Sequence, residues 1–484
     1  QDARIAEGLA HLPTPADATE EVLLANINCL HRLLYRWCHE LDVPAFRLAA
    51  LGKTVLVTDD PAIMSAVTSQ RPGGWRRPLD QNEMTAGLRI DGIFNAEGEK
   101  WRTHRKVTAR AFNMPSVRRL FPNVAEVVRR LDRRWRARAA DGGFEEDFKT
   151  EMAHVTMEVI FATAFGLRLP LLAEEGGQAD LAENHRKARL FYLTFEAFWH
   201  RFLHWGNPTW LSSSPSPLDV RHNTNQDELH AFVDGVVRAA EEQGDAGLMP
   251  CMLSSMLDAS RQEGAGSFSH EEIIGNTITF ANAGHETTAN ALCWFAFEMA
   301  QPKNAGTYAR IRAEAREVLA GDLANLTAEV AEKRLPLCEA AFREAMRMHP
   351  VAPMFAYEAN GAAALPGLGQ VAEGTQVWCV FTSNASRARC FSDPGRFILD
   401  RWLPPAARQE EVAVHQPAAI MPFGGGPRIC PGMRLAAVEA VAVIAAMAMS
   451  FDLTLACAPE DVEEVLNLTV APRRLPIRVT LATN

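Results

Sequence analysis

Cys430 sits in the most specialised surroundings of any cysteine in this chain. It lies in Pro422-Phe423-Gly424-Gly425-Gly426-Pro427-Arg428-Ile429-Cys430-Pro431-Gly432, just ahead of an alanine-rich apolar run that starts at Met433. A cysteine placed before a helix N-terminus has backbone N–H groups that favour its thiolate. Gly424 and the glycines beside it allow backbone shapes closed to other residues, and so the close approach of a flat ligand. Phe423 offers a ring face, and Arg428 a planar donor fork for a carboxylate. An anionic sulfur, a flat apolar face and a carboxylate partner are the fittings a haem requires.

Three further groupings have spacings that bring side chains together. Glu344 and Arg347 are three apart in a helical stretch, Cys338 to Met348, and share a face. Trp101 and Arg105 are four apart in a second helical stretch. Ala283-Gly284-His285-Glu286-Thr287-Thr288 sets two small residues beside an acid and two hydroxyls. His285-Glu286 begins a zinc-protease HExxH motif, but position 289 is Ala, so that reading fails. Gly367-Leu368-Gly369 has no long strand before it and no helix after it, so it is not a dinucleotide loop.

The cysteine segment resembles the haem-binding loop of the cytochrome P-450 superfamily, Phe-x-x-Gly-x-Arg-x-Cys-x-Gly, at every specified position. Glu344 and Arg347 resemble that family's ExxR pair, which locks to an arginine in a later meander. Asp393 to Trp402 matches the meander, and Arg401 is the expected third member. Trp101 and Arg105 resemble the WxxxR motif, which implies contact with the haem propionates. Ala283 to Thr288 resembles the oxygen-binding motif, in which Ala283 and Gly284 leave room for dioxygen. The resemblance runs from about Leu12 to the end of the chain.

Taken over, the resemblance implies a mostly α fold with a smaller β part and a long central helix over a haem. The cofactor is haem b with Cys430 as its axial thiolate and metal ligand. Phe423, Gly424, Arg428, Gly432, Trp101, Arg105, Ala283 and Gly284 are the other implied cofactor contacts. Thr287 and Glu286 are implied to organise proton delivery. The implied reaction inserts one atom of O2 into a lipophilic small molecule. Electrons then come from NAD(P)H through a separate donor, a ferredoxin or a flavoprotein reductase. Haem-thiolate isomerases, dehydratases and peroxygenases need no donor, but relatives of that kind often alter the threonine or the cysteine loop, and both are intact here. A non-catalytic haem or lipid carrier needs no Glu286–Thr287 pair. One departure stands out: many members carry a propionate-binding Arg after the ExxR helix, and Pro350-Val351-Ala352-Pro353-Met354-Phe355-Ala356-Tyr357 has none. Anchoring then falls on Trp101, Arg105 and Arg428. Met84, Leu88, Ile90, Phe94, Met354, Phe355 and Leu468 are candidate substrate-lining residues, though core packing explains each equally well.

The elements that must position these residues are mainly helices. Apolar residues recur at helical spacing in Phe121 to Ala139, Phe148 to Phe165 and Leu229 to Glu241. Ser269 with Glu272 forms a capping box that opens the longest helix, running to about Met299. Met433 to Phe451 is a close-packing helix, and Arg474 to Leu481 alternates like a strand. The first thirty residues read as a stiff polar lead-in to a single domain spanning residues 1–484. Residues 204–218, with three prolines, Trp205 and Trp210, read as a loop with exposed aromatic surface.

The nine cysteines include no CxxC or CxxCH, which excludes zinc-ribbon and covalent haem attachments. Scattered thiols fit a reducing compartment, so the expected location is the cytoplasm. The cytoplasmic face of a membrane is the alternative if an anchor preceded Gln1. Membrane contact would then come through that segment or the 204–218 loop. The net charge of −10 argues against nucleic acid as a partner. A basic cluster at Arg105, Lys106, Arg110, Arg118 and Arg119 is the expected docking face for the electron donor.

Overall fold

The long helix is fixed at its start by reciprocal hydrogen bonds. Glu272 N donates to Ser269 Oγ at 3.2 Å, and Ser269 N donates to the Glu272 carboxylate at 2.9 Å. From that capping box the helix runs His270–Met299, 30 residues or roughly 45 Å. Its residues are buried on nearly every side, polar ones such as Asn276, Thr277 and Asn290 included, which marks a helix covered all round. Phe148–Ile160 packs along it and continues as a π-helical turn, Phe161–Phe165. Pro336–Met348 and Met433–Ser450 cover another side. Met433–Ser450 is long and apolar enough to cross a membrane, yet it lies inside the protein, packed against five other helices among the described residues.

The computed structural model describes the chain except residues 51, 86–87, 89, 91, 173–177, 205–208, 244–250, 264–267 and 483–484, and the side chains of 82, 178–179, 243 and 262–263. Among the described residues the largest sheet has five strands, in the order Phe46–Ala50, Lys53–Thr58, Gln376–Val380, Met354–Ala359 and Trp75–Arg76. Its one parallel pair joins Lys53–Thr58 to Gln376–Val380, with Val55 opposite Gln376. A three-stranded sheet pairs Pro476–Leu481 with Phe144–Asp147 and Phe451–Leu455. One large core cluster follows the helices, and a second sits on the five-stranded sheet.

Two expectations need correction. The first residues are not a polar lead-in. Asp2–Gly8 is helical, and Ile5, Leu9 and Leu12 are buried in the sheet-side cluster. Three apolar residues spaced three and four apart carry that face, and a short helix can bury it where an isolated peptide could not. Trp210 is not exposed either. It is 8% accessible, its indole N–H points to Glu83 O at 3.4 Å, and Arg201 lies over its ring. Trp205 lies outside the described residues. The apolar side chains that do face outward near this corner are Leu203, Leu211, Leu218 and Val220.

Candidate active site

The cysteine loop is closed by a hydrogen bond from Cys430 N to Phe423 O at 3.0 Å. Gly424 and Gly426 have φ values of 70° and 64°, left-handed conformations that side chains resist. Gly426 has a second constraint. A Cβ there would fall 2.1 Å from Thr68 O, so this glycine lets the loop press on the Pro61–Ser69 helix. Its use is a protein contact, whereas the sequence suggested room for a ligand. Burial pushes the Cys430 thiol up. The backbone N–H of Gly432, the Arg105 guanidinium and the N–H of Met433 pull the other way. A metal at this sulfur would complete what those groups begin, because coordination strips the proton outright.

Cys430 opens into a cavity of about 300 Å³ between its loop and the long helix. Phe423, Gly424, Arg428 and Gly432 line it on the cysteine side, and Ala283, Gly284 and Thr287 on the other. Most of the remaining wall is apolar, including Ile93, Phe112 and Phe280. Gly284 has no space to spare, since a Cβ would come 2.6 Å from Ile160 Cδ1. It allows close helix approach as well as room in the cavity. Thr287 donates its hydroxyl proton back to Ala283 O at 2.7 Å.

Glu286 is not brought to the same place as Thr287. It turns toward the Thr469–Pro472 strand, where Thr469 donates to its Oε1 at 2.8 Å, while Oε2 is buried without a partner. Burial raises its carboxyl to about 7, with the Thr469 hydroxyl and the more distant Lys149 opposing. His285 is buried against Tyr192, and burial brings its imidazole down to about 4.

One edge of the cavity is cationic. Trp101 and Arg105 reach it from the Gly98–Ala109 helix, and Arg428 lies 4.6 Å over the Trp101 ring. Arg71 and Arg77 join them, and sequence reasoning missed both. Glu97 accepts from Arg71 at 2.6 Å and from Arg428 at 2.8 Å. Arg77 gets only indirect help. It is 8% accessible and stacks on Phe94 at 3.9 Å; its backbone N–H donates to Glu97 Oε1 at 3.1 Å, but its guanidinium has no hydrogen-bonded carboxylate among the described residues. Burial, then repulsion from Arg71, lowers its guanidinium to about 10. Arg105 likewise lacks a hydrogen-bonded carboxylate among the described residues, and burial lowers it too. Buried cations facing an apolar cavity call for an anionic ligand. A flat dianionic haem with its metal at Cys430 fits this set of groups. Arg71 and Arg77 carry no motif, which is why spacing alone did not reveal them. They also answer for the arginine absent after the ExxR helix.

The ExxR residues form a buried network in which Arg401 Nη1 alone lacks a hydrogen-bond partner. Glu344 takes two bonds from Arg347 at 2.8 Å and one from Arg401 at 3.0 Å. Ile398 N and the Trp402 indole N–H, at 3.0 and 2.9 Å, complete it. Arg347 also donates to Ala385 O and Arg396 O, and Arg401 to Asp393 O. Trp402 was the member not foreseen.

Of the candidate substrate residues, Phe94 and Phe355 line the cavity. Met84, Leu88, Ile90, Met354 and Leu468 are not in its wall. Met84 and Leu88 are buried, Ile90 and Met354 pack on the main core, and Leu468 occupies the turn between Glu464–Asn467 and Thr469–Pro472 with φ 66°. Apolar residues near a site satisfy core packing first, so composition did not separate wall from core. Glu439 was also missed. It lines the cavity from Met433–Ser450, and burial holds its carboxyl well above the ordinary range.

Comparison with known proteins agrees with this geometry. The cytochrome P-450 family model matches residues 28–478. Cytochrome P-450 734A6 of Oryza sativa subsp. japonica is 27% identical over 83% of this chain and 73% of its own length. Mitochondrial sterol 26-hydroxylase of Oryctolagus cuniculus is 25% identical over the same shares, 83% and 73%. The self-sufficient cytochrome P-450 monooxygenase CYP505AG1 of Oidiodendron maius is 32% identical over 48% of this chain, but only 21% of that protein is matched. The solved cytochrome P-450DA heme domain superimposes with a TM-score of 0.82 at 22% identity, covering 98% of this chain and 97% of that one. With the cysteine loop, the long helix and the Glu344 network all in place, the chain belongs to the cytochrome P-450 family and is a haem-thiolate enzyme of its monooxygenase type.

Proposed function

We propose that the enzyme inserts one oxygen atom from O2 into a lipophilic small molecule, with electrons delivered by a separate protein. One observation carries the reading: Cys430 and Thr287 face a single, mostly apolar cavity from opposite walls. When bound, haem supplies the reductive activation of O2. The chain's own groups do the rest. Cys430 holds the metal, and the N–H groups of Gly432 and Met433 with Arg105 support the charge on its sulfur. Arg77, Arg105 and Arg428 answer the carboxylates. Phe94, Phe112, Phe280 and Phe355 keep water out and select an apolar substrate. Thr287 holds a proton at the cavity wall, and rotation away from Ala283 O frees it for delivery. Glu286, poised near neutrality behind the helix, is placed to resupply that proton rather than to touch the substrate. A relative named as a sterol 26-hydroxylase supports a lipophilic substrate.

Lys106 is exposed on the helix whose Arg105 supports the sulfur, and Arg110 is exposed just past its end, which favours donor docking on that side. Arg118 contributes less charge than its sequence suggested, being paired with Glu332 at 2.6 Å. Electron transfer should slow as salt rises.

The deciding experiment is electron accounting in Thr287→Ala. The variant should bind haem and substrate as wild type does, yet divert electrons to hydrogen peroxide. General acid help is worth about 10²–10⁴-fold, so the drop in product per electron should be large. Unchanged product per electron would refute the role of Thr287. A chain that consumes no electrons with any lipophilic candidate and any donor would refute the reading itself.

A further inference from the structure

Away from the haem cavity, Gln178–Leu203 and Pro217–Gln243 pack against each other. His200 comes from the first helix, and Asp219 and His222 from the second. One potential ligand atom from each lies within 4.8 Å of the other two. We propose that these three residues bind a divalent transition cation of the Zn²⁺ class through two imidazole nitrogens and one carboxylate oxygen. This site is independent of the haem chemistry.

Asp219 is wholly buried and His222 is 4% accessible. Asp219 has a structural task, but one oxygen performs it. Its Oδ2 accepts from Ser216 Oγ at 2.6 Å, Ser216 N at 3.1 Å and Thr209 Oγ1 at 2.5 Å. Asp219 N donates back to Ser216 Oγ at 3.1 Å, so the pair caps the second helix. Oδ1 takes no part and is buried without a partner. His200 Nε2 and His222 Nδ1 are in the same condition. Three idle polar atoms converging in one buried place is costly unless something joins them.

Geometry favours a cation as that joint. Oδ1 lies 3.5 Å from His200 Nε2, too long for a good hydrogen bond. Ligands about 2.1 Å from a tetrahedral Zn²⁺ are about 3.4 Å apart, so this edge already has the right length. Asp219 and His222, three apart, share one helical face. Three protein ligands leave a fourth position for water. Imidazole with carboxylate suits Zn²⁺ and its neighbours better than Mg²⁺ or Ca²⁺. Arg201 and Arg221 are nearby opposing charges, and the Arg201 guanidinium is engaged with Met84 O at 3.1 Å and Asn223 Oδ1 at 3.2 Å. A bound cation would pin the end of one helix to the start of the next.

The test uses the haem-loaded full chain, stripped with a chelator, equilibrated with Zn²⁺ and freed of excess. Zinc per haem is read by mass spectrometry, and zinc K-edge absorption reads the ligands without interference from iron. One zinc per chain with scattering from two imidazoles is expected. His222→Ala should weaken binding at least about 100-fold, because even outer-shell partners are worth 10–100-fold. His200→Gln, which leaves the Asp219 cap intact, should lose zinc equally while circular dichroism and the ferrous–CO spectrum stay as in wild type. Wild type without retained zinc, zinc retained by both variants, or a spectrum without imidazole would each overturn the proposal.

Discussion

Around Glu344 the buried polar groups are nearly all answered, Arg401 Nη1 being the exception, whereas beside the cavity Arg71, Arg77 and Arg428 each keep a buried nitrogen without a hydrogen-bond partner. Glu344 accepts five hydrogen bonds from Arg347, Arg401, Ile398 and Trp402, and both arginines spend further protons on backbone carbonyls. Across the protein, Arg71, Arg77 and Arg428 share one carboxylate, that of Glu97. Both groups are buried, and only the first is close to complete by itself. A nearly complete network can act as part of the fold before any ligand arrives. An incomplete one holds unspent charge, and the ligand that supplies the missing anions gains what the protein left open.

Breaking the Glu344 network should have the largest effect. Removing one partner of a buried pair costs about 3–5 kcal/mol because the other charge is stranded. Glu344→Ala strands Arg347 and Arg401 and frees Ile398 N and the Trp402 N–H. Arg347→Ala should do similar damage. Both variants should yield little folded, haem-loaded protein, read by haem content per chain and by thermal melting. Wild-type melting in either would show that the network is not the brace described here.

The contrast also explains what was legible in the sequence. The Glu344 network and the cysteine loop use fixed local spacings, so Glu344, Arg347, Cys430 and Arg428 were visible as residues. Arg401 was found because the meander has its own pattern. Trp402 was missed, although it is the next residue, because an indole reads as core. Arg71 and Arg77 sit in the turn before and the loop after the short edge strand Trp75–Arg76, with no spacing to betray them, and only the tertiary structure carries them to the cavity. The long helix and its cap were legible because capping chemistry is local. The substrate wall was largely not: Phe94 and Phe355 face the cavity, while Met84 and Leu88 are core, and their compositions do not differ. Glu286 and Thr287 are adjacent in sequence and hence about 100° apart on a helix, which sends one to the cavity and the other to Thr469.

Glu286 offers an intermediate case, a buried acid with one oxygen answered and one not. Its carboxyl is raised to about 7, chiefly by burial. Below pH about 4.5 the group is protonated in folded and unfolded chains alike and contributes nothing to pH dependence. Between about 4.5 and 7 the unfolded chain loses this proton first, so stability falls as pH rises. Above about 7 the loss is complete, at most about 3 kcal/mol. Glu286→Gln keeps an acceptor for Thr469 and removes the titration. The variant should therefore gain on wild type progressively from pH about 4.5 to 8 in denaturant midpoints, with little or no gain at pH about 4. Parallel midpoint curves would mean that Glu286 does not titrate in this window.

Arg77 gives the smallest effect and the sharpest separation of the two clusters. It is buried and stacked on Phe94, and its guanidinium is without a hydrogen-bonded carboxylate among the described residues. Its charge therefore costs the haem-free protein more than it returns. Arg77→Met keeps most of the volume and the contact with Phe94 while deleting that charge. The haem-free variant should be no less stable than wild type, because replacing a poorly answered buried charge by an apolar group is neutral or favourable. The haem-loaded variant should behave in the opposite way. A hydrogen bond to a charged group is worth about 1.5–3 kcal/mol, so haem transfer to an acceptor globin should speed up roughly 10–100-fold. Arg77→Lys should fall between, since an ammonium keeps the charge and loses the fork. The two readouts must diverge for the comparison to hold. If Arg77→Met lowers the stability of the haem-free protein as Glu344→Ala does, and leaves haem transfer unchanged, then Arg77 belongs to the structural class and the cationic edge is not the carboxylate site.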